Sequence, residues 1–143
     1  MSSVFYNSYF RDELNNSVDL KNDDIYIMLV TSTYTPDIDN HTKRSDVTNE
    51  VVGTGYVSGG KVLANKVFTV DNSNNLGKFT ADAITWSSST ITARGAVLYK
   101  HRGGAASADE LICYYDFGSD QTSVAADFIV TPNASGLFTA KQG

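Results

Sequence analysis

Cysteine, proline, histidine and charge are all scarce in this 143-residue chain, and each scarcity narrows what it can be. The one cysteine, Cys113, has no partner for an intrachain disulfide. It lies inside an apolar, strand-like run, the usual place of a small buried hydrophobe. Folding without disulfides suits a reducing cytosol. No stretch approaches the ~18 apolar residues of a membrane helix, and the opening MSSVFYNSYFRDELNN has neither a basic region nor an uninterrupted apolar run. A soluble chain with no signal peptide and no membrane partner is therefore expected. Charged residues make up only 19%, and a net charge of -5 without a basic stripe argues against a nucleic-acid partner.

What takes the place of charge is Thr, Ser, Asn and Gly, the composition of a β-rich chain with many turns. The length predicts one domain, residues 1–143, large enough for its own core. Its centre is the stretch from Ser89 to Gly118, where STITARGAVLYK and ELICYYDFG flank the small, polar HRGGAASAD. Two β-rich runs around a Gly-bearing tip predict a long-looped antiparallel hairpin.

Elsewhere, VFYNSYFRDEL from Val4 to Leu14 predicts a short amphipathic helix, with Phe5 and Tyr9 on one side and Tyr6 and Phe10 beside them. Ile25 to Thr31 is apolar on both faces, as a central strand is. Thr35 to Thr48 is the longest stretch without periodicity and is marked as a contact loop. Gly53, Gly55, Gly59 and Gly60 are expected at turn and bulge positions before a strand from about Lys61 to Val70. KFTADAITW gives one or two strands, GSDQTSVAA a polar loop, and DFIVTPNASGLFTA two short strands broken at Pro132 to Gly136. The sum is a mostly β fold: an antiparallel β-sandwich of jelly-roll type, with a barrel or an α+β roll as the alternatives, and with an N-terminal helix or arm over residues 1–16 and a β body over 17–143.

No chemical motif survives its context. GTGYVSGG is followed by a strand-like segment, not by the helix a phosphate loop requires. Asp37, Asp39 and His41 alternate like the start of a calcium loop, but Thr42 stands where its glycine belongs and Thr48 where its bidentate Glu belongs. That leaves only an irregular surface ion site open. His41 and His101 lack a neighbouring Cys or His at metal spacing, and no Ser occupies a G-x-S-x-G elbow. The expectation is a protein with no enzymatic activity, no cofactor and no resident metal. Two basic spots, Lys43 with Arg44 and Lys100 with His101 and Arg102, read either as solvated loop charges or as contacts for an acidic partner surface. Tyr34, outside the clear strands, is the candidate for an exposed aromatic platform.

Taken together, YNSYFRDELNNSVDLKNDDIYIMLVTSTYTPD, DVTNEVVGTGYVSGGKVLANK, FTADAITWSSSTITARGAVLYK, LICYYDFGSDQTS and NASG resemble, in order, a family of small tailed-bacteriophage virion proteins. The chain departs from that family's pattern at the hairpin tip, where HRGGAASADE replaces a shorter acidic turn. The resemblance implies a structural protein that decorates, or cements, the outside of the shell built by the major capsid protein. It also implies assembly in the host cytoplasm and a homo-oligomer, dimer or trimer, on the capsid lattice. The contact candidates are Phe5, Tyr9, Tyr34, Asp37, Asp39, Lys43, Arg44, Lys100, His101 and Arg102. The alternative is a carbohydrate- or receptor-binding module on the particle surface or tail.

Overall fold

A computed structural model describes residues 2–133 and 138–141. Its frame is one hairpin, β6 (Ile84–Lys100) against β7 (Leu111–Val130), whose strands run well beyond the rest of the sheet. Around it stand β1 (Ser2–Phe5), helix α1 (Asn7–Leu14), β2 (Ile25–Val30), β3 (Lys61–Val62), β4 (Val67–Asp71), β5 (Leu76–Thr80) and β8 (Phe138–Lys141). These make a five-stranded antiparallel sheet in the order β1-β7-β6-β2-β3 and a three-stranded one in the order β4-β5-β8. The fold is mostly β with a short N-terminal helix, as the sequence implies. No helix among the described residues is long and apolar enough to cross a membrane.

Strand alternation explains why β2 is apolar throughout. Ile25, Ile27 and Leu29 project into one core with Ala96, Leu98, Cys113, Tyr115, Trp86 and Phe79. Met28 and Val30 project into a second core with Tyr6, Tyr34, Val97, Tyr99, Leu111 and Tyr114. The first core also takes in Tyr9 of α1 and Phe79 of β5, tying the helix and the smaller sheet to the larger one. The second lies under the stretch after β2, which supplies Tyr34 and Val47. Burial pushes the Cys113 thiol up to about 12, so it stays protonated and acts as packing.

Three expectations need correction. The helix does not begin at Val4: Ser2–Phe5 pairs with β7, opposite Asp116 to Cys113, and Tyr6 is the helix N-cap, so Phe5 and Tyr9 belong to different elements. The single strand at Lys61 to Val70 is two strands in two sheets, parted at Asn65, whose φ of 52° no strand accommodates. The polar segment at Gly118 to Ala126 is not a loop but the middle of β7. Its polar residues suit an arm wet on one face, while Ser123 is buried and bonds Ser89 across the hairpin at 2.7 Å. KFTADAITW, expected as one or two strands, is two: the end of β5 and the start of β6, separated by Ala81 to Ala83. The break at Pro132 to Gly136 lies partly outside the described residues.

Of the clustered glycines, Gly60 has the strictest requirement. Its φ is +76°, and a Cβ there would overlap the Ile27 carbonyl of β2. Replacement by alanine meets both a backbone and a packing conflict, so Gly60→Ala is expected to lower stability by roughly 2 kcal/mol or more. Urea unfolding of the variant beside the parent checks this; an unchanged midpoint would show that the β2–β3 junction yields freely.

A candidate docking platform

Three segments distant in sequence meet at one end of the larger sheet: the start of α1, the loop of residues 35–48, and the hairpin loop of residues 101–110. Asn7 joins the first two, its N–H donating to the Ile38 carbonyl at 2.9 Å and its Nδ2 to Asp39 Oδ1 at 2.7 Å. The second and third are joined by backbone bonds, from Arg44 N–H to the Asp109 carbonyl at 2.9 Å and from Leu111 N–H to the Thr42 carbonyl at 3.1 Å. The three regions marked for contact in the sequence therefore form one continuous surface.

What holds that surface rigid is a pair of buried carboxylates. Asp109 is wholly buried, and Arg44 Nε donates to its Oδ2 at 2.8 Å, with His101 Nδ1 3.1 Å from the same oxygen. Its Oδ1 accepts the Arg102 N–H at 2.9 Å. Glu110 is bonded in a fork by Arg102, through Nε at 2.9 Å and the terminal nitrogen at 2.6 Å, with Lys43 Nζ at 3.4 Å. Burial opposes ionisation of both acids. The donors outweigh it and hold both carboxyls below the usual range: Arg102 N–H, Arg44 and His101 for Asp109, and chiefly Arg102 for Glu110. The Arg44 guanidinium also lies 5.1 Å from the centre of the Tyr99 ring, a cation–π contact on the sheet itself.

A second tether runs through hydroxyls. Because the Asp37 N–H donates to His41 Nδ1 at 3.3 Å, that nitrogen is an acceptor. The Tyr34 hydroxyl donates to it at 3.0 Å and accepts from Tyr6 at 2.7 Å. The chain Tyr6, Tyr34, His41 thus links the helix cap, the second core and the loop. Burial pushes the Tyr34 hydroxyl up to about 12, which keeps it a donor at neutral pH.

These placements decide how the candidate residues read. Tyr34 is not an exposed platform: only 4% of it is accessible, because its ring closes the second core. Tyr9 is likewise buried, and Phe5, half-buried, stacks on it at 5.4 Å. Asp37 spends its carboxylate inside the loop, accepting from Asp39 N–H and from the backbone and side chain of Asn40. Lys100 is held by the Ser17 carbonyl at 2.7 Å and Asp23 at 2.9 Å. Lys43, Arg44, His101 and Arg102 all face Asp109 or Glu110. The lysines and arginines of the two basic spots are therefore met within the chain, Lys100 by Asp23 and Lys43, Arg44 and Arg102 by Asp109 and Glu110.

The sequence reasoning missed Asp109 and Glu110, and a signal was there. They stand on the descending limb of the hairpin opposite Lys100 and Arg102 on the ascending one, where cross-strand charge pairs form. Neither histidine hydrogen-bonds a serine or cysteine among the described residues. The network fastens loops. No family model, curated protein or solved structure matches the chain.

The carboxylates also set an acid limit on the platform. A carboxyl depressed in the folded state contributes stability that is complete above its unfolded value, near 4, and is lost as the pH falls through its folded value. Unfolding midpoints are therefore expected to fall below about pH 4, with Asp109→Asn and Glu110→Gln showing a shallower decline. At neutral pH, Arg44→Met leaves Asp109 buried without its main cation and is expected to cost roughly 3 kcal/mol, read from urea curves. A parent and an Arg44→Met variant of equal stability would show the pair to be dispensable.

Proposed function

We propose that this chain is a structural binding protein of the tailed-phage particle that decorates the outside of the capsid shell and stiffens it. The observation that carries the reading is the convergence of α1, the 35–48 loop and the 101–110 loop into one platform locked by buried ion pairs. Loops fixed in advance lose little conformational freedom on docking, which is what a protein bound only by surface contacts needs. Such a protein acts by mass action: binding the assembled lattice and not its separated parts, it stabilises the lattice, and copies in multiple equivalent positions add modest interfaces together. Its direct partner in this reading is the major capsid protein, with homo-oligomers of two or three copies on the lattice. The finer description of the body as a jelly roll belongs to the same proposal.

A sugar- or receptor-binding module on the particle draws less support. Stacking on sugar rings needs exposed aromatic faces, and the residue best suited from the sequence, Tyr34, is in the core.

Imaging of labelled virions by electron microscopy, with copies counted against the major capsid protein, tests the proposal. The expected result is many copies spread over the shell, in number comparable to its repeating units, and shells that lose resistance to heat and osmotic shock when the protein is absent. A few copies at one vertex or along the tail would remove the decoration reading.

A further inference from the structure

The β6–β7 hairpin has an unused side. β1 covers the outer edge of β7 only from Cys113 to Asp116. From Phe117 to Val130 that edge has no strand neighbour among the described residues, while the inner edge is paired to β6. Along it runs an open groove of about 390 Å³ that includes Phe117, Gln121, Asp127, Phe128, Ile129 and Thr131. Phe117 and Phe128 have their rings 6.5 Å apart, and Ile129 is 55% exposed. Val124, further along the same strand, is 72% exposed.

Charge decides what fits there. Asp120 and Asp127 are exposed on this stretch, and neither has an ion-pair partner among the described residues. Among the described residues Asp127 accepts a hydrogen bond from the Ser88 N–H alone, at 3.1 Å. The cation on the adjacent strand, Arg94, is bonded to Asp116 at 3.0 Å. Two copies of the chain meeting edge to edge here would place four like charges along one seam, which disfavours a second copy. Ala125, at a φ of 45°, interrupts the edge, so the regular part on offer is Asp127 to Val130 and the Thr131 that follows.

We infer that the outer edge of β7 at residues 117–131 receives an extended segment of a different protein, one in which Lys or Arg alternates with apolar residues. The segment adds a strand to the hairpin: its main chain bonds the free edge at 127–131, its cations lie on the exposed face that carries Asp127 and Ile129, with Asp120 attracting them from beyond the interruption at Ala125, and its apolar side chains lie on the opposite face, over Phe117 and the rim of the buried Phe128. This rests on the decoration reading for the identity of the partner, a capsid subunit, but not for the chemistry of the site.

Two fluorescent nonapeptides, one alternating Val with Lys and one alternating Val with Glu, are titrated by anisotropy into the full chain and into D120K, I129K and D120K/D127K, each checked for an unaltered circular dichroism spectrum. The Val-Lys peptide is expected to bind at least about ten-fold more tightly than the Val-Glu peptide, and less tightly as salt is raised. The double charge reversal is expected to invert that preference, and I129K, which sets a cation beside Asp127 on the same face, to weaken binding of the Val-Lys peptide. Equal affinity for both peptides, or variants that bind as the parent does, would overturn the inference. The proteins are also sedimented with capsid shells. Parent and variants binding shells alike would overturn the edge assignment and leave decoration standing; peptide binding with the charge preference, but no binding to shells, would support the edge and remove decoration.

Discussion

Asp109 and Glu110 are the point on which the loop architecture turns. Adjacent residues entering a strand project to opposite sides, so burying both requires a cationic partner on each side of the chain. Arg44 meets one, with the His101 ring nitrogen beside it, and Arg102 and Lys43 meet the other. Two of these four come from the loop after β2 and two from the ascending side of the hairpin, so the carboxylates add side-chain ties to the backbone bonds that already join the two excursions. An apolar pair of similar volume would pack as well or better, since buried ion pairs seldom add net stability. What the ions add is direction: bidentate Arg102 and the Arg44 bond fix the angle at which each loop leaves the sheet.

That fixation has a consequence for the second core. Tyr34 and Val47 close a face of the central sheet that would otherwise expose Met28, Val30 and Val97 to water, and they lie on a segment with little secondary structure of its own. A loop of that length holds a core closed only if its ends and middle are tied down. Asn7 ties it near Ile38, the Tyr6 and Tyr34 hydroxyls tie it at His41, and Asp109 ties it at Arg44. The loop is a lid on hydrophobic packing, so its geometry is inherited from the core beneath it.

The parts legible in the sequence were those where burial speaks through side-chain type. The hairpin, the doubly apolar β2 and the turn role of the glycines follow from composition and period: Gly55, Gly59 and Gly60 all take positive φ, while Gly53 instead sits against the Thr90 carbonyl. The parts that did not follow are those where pairing outruns burial. Residues 118–126 are strand because β6 bonds them, and Ser123 with Ser89 uses a hydroxyl pair where a pattern search looks for apolar residues. Val67, Phe68 and Val70 looked continuous with Lys61 and Val62, yet one asparagine sends them to a different sheet. The basic spots were visible, and the two acids across the hairpin tip offered them partners, but which cation meets which acid was not legible, since cross-strand register is a property of the folded hairpin and not of linear spacing.

Charge accounting then reverses the sign of the partner. Read along the sequence, Lys43, Arg44, Lys100 and Arg102 suggest a surface seeking acids; folded, they are consumed by Asp23, Asp109 and Glu110. A chain with a net charge of -5 whose cations are largely engaged internally presents its surplus as exposed carboxylates, among them Asp24, Asp82, Asp120 and Asp127. Such a surface steers toward cationic partners over a range of about 10 Å at ordinary ionic strength and repels its own kind at close approach. Those two effects together keep copies apart in solution; in the decoration proposed above, gathering would depend on a lattice that supplies the opposite charge.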